Sequence, residues 1–118
     1  MDSISIAFTY KAEDYTTFSV SVNSAYYSGK SSFCLPNSMI STAIDALSTI
    51  NQALPGEYTI FDTDSDDFIQ IIFKKQGHLS ISGQLGGSYN ENHLTYCFDT
   101  DQTALTKFIE SLKRLTKS

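Results

Sequence analysis

The chain has 118 residues, 41% hydrophobic and 18% charged, which is enough for one domain with a core of its own. Thirteen acids against eight Lys and Arg give a net charge of -5, which argues against the clustered positive charge a nucleic-acid binder needs. No segment approaches the ~20 apolar residues of a membrane helix. Met1-Asp2-Ser3-Ile4 also places an acid where a secretory leader carries bases, so a soluble, cytoplasmic protein folded as a single domain over 1–118 is expected.

Ile4, Ile6, Phe8 and Tyr10 alternate with Ser3, Ser5, Ala7 and Thr9, the period of a half-buried strand. After the polar turn Lys11-Ala12-Glu13-Asp14, Phe18, Val20 and Val22 alternate with Thr17, Ser19 and Ser21, which predicts a second, antiparallel strand. Residues 23–30 read as irregular, with Gly29 as a turn residue, and 31–35 as a short third strand. Pro36-Asn37-Ser38 reads as a helix start, with Asn37 or Ser38 accepting the free amides of the first turn. Ile40, Ala43, Ile44, Leu47, Ile50 and Leu54 then form one helical stripe, ended by Pro55-Gly56. Many hydroxyl residues weaken this helix intrinsically, so packing of the stripe must hold it.

Strands are predicted at 58–61 and 68–74, joined by Asp62-Thr63-Asp64-Ser65-Asp66-Asp67. The second of them is apolar on both faces, with Ile69, Ile71 and Phe73 on one and Phe68 and Ile72 on the other. It therefore belongs inside a sheet. Two further strands, 78–85 and 92–98, are linked through Gly86 and Gly87. Asp99-Thr100-Asp101-Gln102 opens a last helix carrying Leu105, Phe108, Ile109, Leu112 and Leu115. The order β-β-(β)-α-β-β-β-β-α predicts an α+β fold: one antiparallel sheet of five to six strands with two helices on one face. Its outer face is rich in hydroxyls (Ser3, Ser5, Thr17, Ser19, Ser21, Ser80, Ser82, Thr95) and reads as solvated.

Chemistry is sparse. Asp62-Thr63-Asp64-Ser65-Asp66 starts like a calcium loop, but Asp67 stands where the sharp turn requires Gly, and Phe73 where a bidentate Glu belongs. The run reads instead as a charged hairpin tip, exposed because neighbouring carboxylates resist burial. His78 and His93 share no zinc spacing with Cys34 and Cys97. His93 and Cys97 are separated by roughly 13 Å along a strand, too far for a nucleophile and its base. Both histidines are expected at exposed or edge positions, and both cysteines as small buried hydrophobes rather than a bridge. Gly83-Gln84-Leu85-Gly86-Gly87 lacks the Lys-Ser/Thr of a phosphate loop, and its glycines serve a turn. No metal or cofactor is expected. Tyr26-Tyr27, in the irregular stretch, is the best surface anchor, since exposed tyrosines in loops are frequent binding hot spots.

The run from Gly77 to Leu85, then Leu94-Thr95-Tyr96-Cys97-Phe98-Asp99-Thr100-Asp101-Gln102-Thr103-Ala104-Leu105, then Phe108 and Leu112, resembles the C-terminal signature of WapI-like immunity proteins. These are small bacterial proteins that neutralise toxin domains. The resemblance implies a non-catalytic protein whose partner is a cognate toxin, bound by covering its surface. An acidic chain suits the basic active site of a nuclease toxin. The predicted contact residues are Asp62, Asp64, Asp66, Asp67, Tyr26 and Tyr27. The other readings are a small-molecule-binding or structural module and an enzyme with scattered catalytic residues. A deep apolar pocket with convergent polar groups would favour either over the immunity reading.

Overall fold

The computed structural model describes residues 2–52, 55–88 and 90–117; Leu54, assigned above to the first helical stripe, lies outside them. The elements follow the predicted order: β1 Ser3–Ala12, β2 Tyr15–Asn23, β3 Ser28–Pro36, α1 Asn37–Gln52, β4 Gly56–Phe61, β5 Phe68–Phe73, β6 His78–Leu85, β7 Leu94–Asp101 and α2 Gln102–Thr116. A single 3-10 turn, Lys75–Gly77, joins β5 to β6. Gly29 is a strand residue rather than a turn.

The strands form two antiparallel sheets, β1-β2-β3 and β4-β5-β6-β7, not the one sheet of five to six strands expected. The reason lies at the edge of β3. Cys34 donates its N–H to the Asp62 carboxylate (2.8 Å), and its carbonyl accepts from the Thr63 N–H (3.2 Å). The β4–β5 turn thus takes backbone groups that a neighbouring strand would otherwise use, and the ladder stops there. β5 lies inside its sheet, as its two apolar faces require.

Both sheets turn their apolar faces to one core. Phe18, Val20, Val22, Phe33 and Leu35 come from the first sheet, and Ile69, Ile71, Phe73, Leu79, Ile81 and Leu85 from the second. α1 contributes Ile40, Ala43 and Leu47, and α2 the whole predicted stripe of Leu105, Phe108, Ile109, Leu112 and Leu115. Each such side chain adds roughly 1.5–3 kcal/mol of burial. The helices pack on each other, with α1 against β3 and β4 and α2 against β1 and β7. The Gln102 amide ties them end to end by donating to Asn51 O (3.0 Å) and Oδ1 (2.9 Å).

Caps distinguish the two helices. Asp101 caps α2 as an acceptor for the Ala104 N–H. The Asn37 side-chain oxygen, expected to cap α1, instead accepts from the buried Thr16 hydroxyl (2.5 Å), so it joins the helix start to β2.

One irregularity matters for the surface. β1 pairs with β2 in steady register as far as Phe8 opposite Phe18, and then Tyr10 stands opposite Thr17. Thr9 is an extra residue, a bulge that switches the alternation. Tyr10 therefore leaves the inner face, where the period from Ile4 onward would keep it, and joins Thr17, Ser19 and Ser21 on the outer one.

Candidate binding surface

The acidic turn is a clasp between the sheets. The expectation that all four of its carboxylates are exposed fails for two of them: Asp62 is 7% exposed and Asp67 1%. Burial of a carboxylate is tolerable when its oxygens are met by donors. Asp62 accepts from Cys34 N–H through Oδ1, and from the Ser65 hydroxyl through Oδ2. Asp67 accepts from Gly87 N–H (2.8 Å) and the Gln84 amide (3.4 Å) through Oδ1, and from the Ser31 hydroxyl (2.6 Å) through Oδ2. The turn closes on itself through Asp62 N–H to Asp67 O (3.0 Å), while Asp66 N–H reaches Gly87 O (2.9 Å). The turn is thus fastened both to β3 and to the β6–β7 connection. Gly86 and Gly87 meet it there with positive φ, as their place after β6 predicted.

Asp64 and Asp66 remain exposed, as expected. No side chain among the described residues pairs with the Asp64 carboxylate. Among the described residues Tyr26 and Tyr27 are the most exposed large hydrophobic side chains, at 90% and 70%, in a tight turn closed by Ser24 N–H to Tyr27 O (2.7 Å). Ser31, held by Asp67, lies three residues from Ser28 where β3 begins, roughly 10 Å by strand rise. The acidic turn is thus fastened to the strand that the tyrosine turn enters.

Other predicted positions fall as follows. His78 and His93 are exposed. The cysteines are free, but Cys97 is exposed and Cys34 half-buried, contrary to the expectation of burial, because the residues of β3 and β7 that carry them point to the outer faces. Among the described residues no cluster of three His, Cys, Asp or Glu side chains is placed to hold a metal.

Two features escaped the sequence. Tyr96 points inward from β7 into the space that Gly83 leaves open; a Cβ on Gly83 would lie 2.5 Å from the Tyr96 oxygen. That hydroxyl is buried without a hydrogen-bond partner among the described residues. Burial, and secondly the charge of Asp67, push its phenol well above the ordinary tyrosine range. The second is Phe61, 61% exposed, whose ring lies 6.4 Å from that of Phe68 on the outer face of the larger sheet. A hollow of about 280 Å³ lies between Tyr27 and the strand segment 94–98. It is at the small end of ligand pockets, which run from roughly 300 Å³ upward.

The molecule is a scaffold of two sheets and two helices that presents aromatic and acidic side chains on turns closed by backbone hydrogen bonds. The family model of the Immunity protein WapI-like family matches residues 8–118, and the chain belongs to that family. No curated protein matches it. No helix among the described residues is long and apolar enough to cross a membrane.

Proposed function

We propose that the protein binds and neutralises a cognate bacterial toxin domain in the cytoplasm by covering a basic surface, without catalysis of its own. Membership of the immunity family over residues 8–118 is the observation that carries this reading. The net charge of -5 and the exposed Asp64 and Asp66 suit a partner that is itself built to hold phosphates. In this reading the contact surface includes Asp64, Asp66, Tyr26 and Tyr27. Asp62 and Asp67, expected as contacts too, serve it from beneath by fixing the turn.

The test is to search the neighbouring genes for a toxin domain and to co-express it with this chain. The expected result is growth of cells that otherwise die, together with a stable one-to-one complex in calorimetry. Toxicity undiminished by abundant folded protein would reject the reading. A small-molecule-binding module is the alternative, and saturable binding of a metabolite in place of a toxin domain would favour it.

A further inference from the structure

The β1 bulge and the acidic clasp together build a groove on the outer face of the three-stranded sheet. It has a volume of about 410 Å³ and is lined by Thr9 and Tyr10 of β1, Ser32 and Cys34 of β3, and Asp64 and Ser65 of the acidic turn. Tyr10 is 55% exposed and reaches this face only because Thr9 is an extra residue. Resting on the immunity reading, we propose that this groove receives an arginine side chain of the toxin domain, its guanidinium stacked on the Tyr10 ring and paired with the Asp64 carboxylate.

Charge selects the occupant. Asp62 and Asp64 both line the groove, and no basic residue does. Asp62 already accepts from Cys34, Ser65 and Asp64 N–H, so it contributes negative charge but little further bonding. Asp64 has no paired side chain among the described residues and is the acceptor on offer. An anion is repelled here, and a neutral group leaves the charge unanswered. Lys30, on the same face, stands two residues from Ser32 along β3, roughly 7 Å away and beyond the groove.

Between the two cationic side chains the aromatic wall decides. A planar guanidinium stacks on a tyrosine face while its edge donates two parallel hydrogen bonds to a carboxylate; an ammonium offers only a point charge. The site is also pre-organised. Tyr10 sits on a paired strand, and Asp64 lies on a turn fastened by the buried Asp62 and Asp67, so little freedom is lost on binding.

Titration of the isotope-labelled full chain with the blocked peptide acetyl-Gly-Arg-Gly-amide, followed by amide NMR, reads the groove directly. The expected result is weak binding, with shifts centred on Thr9, Tyr10, Thr17, Ser32 and Asp64. The response to the lysine peptide should be smaller, and to the uncharged citrulline peptide absent. Tyr10→Ala and Asp64→Asn should each weaken the arginine peptide roughly threefold to tenfold, with Tyr10→Phe close to wild type. Equal shifts with citrulline, shifts centred elsewhere, or none at all would overturn the proposal.

A second arm uses a toxin domain identified among the neighbouring genes. Tyr10→Ala should weaken that complex about tenfold or more while thermal stability is kept. If the wild-type chain binds the toxin and both variants bind it equally well, the groove proposal fails and the immunity reading stands. If the folded wild-type chain does not bind it, both fail.

Discussion

Two turns of this protein each behave against their composition. The turn at 24–27 holds Tyr26 and Tyr27, large and apolar enough to be buried, and leaves both in solvent. The turn at 62–67 holds four Asp, which ordinarily seek water, and buries two of them. The difference is where backbone donors stand. Around Asp62 and Asp67 the edge of β3 and the Gly86-Gly87 connection supply N–H and O–H groups at 2.6–2.8 Å, and a carboxylate met by such donors is held firmly. Around the tyrosines one backbone bond closes the turn, and the side chains project past it. The lesson is that a residue's exposure follows from the partners the fold brings, more than from its own hydropathy.

The core beneath both turns sets the scale against which they are measured. Phe108→Ala, at a ring 3% exposed, should cost roughly 3–5 kcal/mol in denaturant unfolding. A loss below about 1 kcal/mol would place that ring outside the core and undo the packing argument for α2.

The clasp comes next. Asp67→Ala leaves the Gly87 N–H, the Gln84 amide and the Ser31 hydroxyl without their acceptor and should cost roughly 1.5–3 kcal/mol. Asp64→Asn, in the same turn, should change stability by less than about 0.5 kcal/mol. Equal effects at the two positions, by chemical denaturation at neutral pH, would erase the distinction between the buried and exposed halves of the turn.

Tyr96 sharpens the comparison from the other side, as a buried hydroxyl with no hydrogen-bond partner among the described residues. Tyr96→Phe removes that hydroxyl and should leave stability unchanged or raise it by up to about 1 kcal/mol. Because the phenol's pKa is raised in the fold, its contribution is fully present below the unfolded value and lost as pH climbs beyond it. Wild-type stability should therefore decline above about pH 10. The decline should be shallower in Tyr96→Phe, and identical alkaline unfolding curves would contradict the burial of that oxygen.

The smallest effects on stability belong to the tyrosine turn. Tyr26→Ala and Tyr27→Ala should each shift unfolding by less than about 0.5 kcal/mol, yet on the proposed interface at least one should cost the toxin complex about 2 kcal/mol. Calorimetry showing unchanged affinity for both would remove this turn from the contact surface. Changing Asp64 and Asp66 to Asn should slow association and flatten its salt dependence, read by stopped-flow mixing across a salt series.

Periodicity carried the element order, the five buried residues of α2 and the interior place of β5, and the Asp99–Gln102 segment marked where α2 begins, because each depends on neighbours a few residues away in the chain. The family resemblance was legible in the segment from Gly77 onward for the same reason: a strand, a turn and a capped helix are local patterns. The candidate site was legible only in part, as a set of residue types. Its two exposed aspartates and two tyrosines stayed at the surface, and its buried pair did not.

Tertiary structure alone decided the division into two sheets and the burial of Asp62 and Asp67, since both turn on bonds between residues 28 and 20 positions apart in the chain. It also decided the outward place of Tyr10. A bulge adds a residue without breaking the strand, so the alternation of Ile4, Ile6, Phe8 and Tyr10 reads the same with or without it. What a chain can specify locally is which residues repeat; which of their groups meet donors is settled when distant strands close on one another.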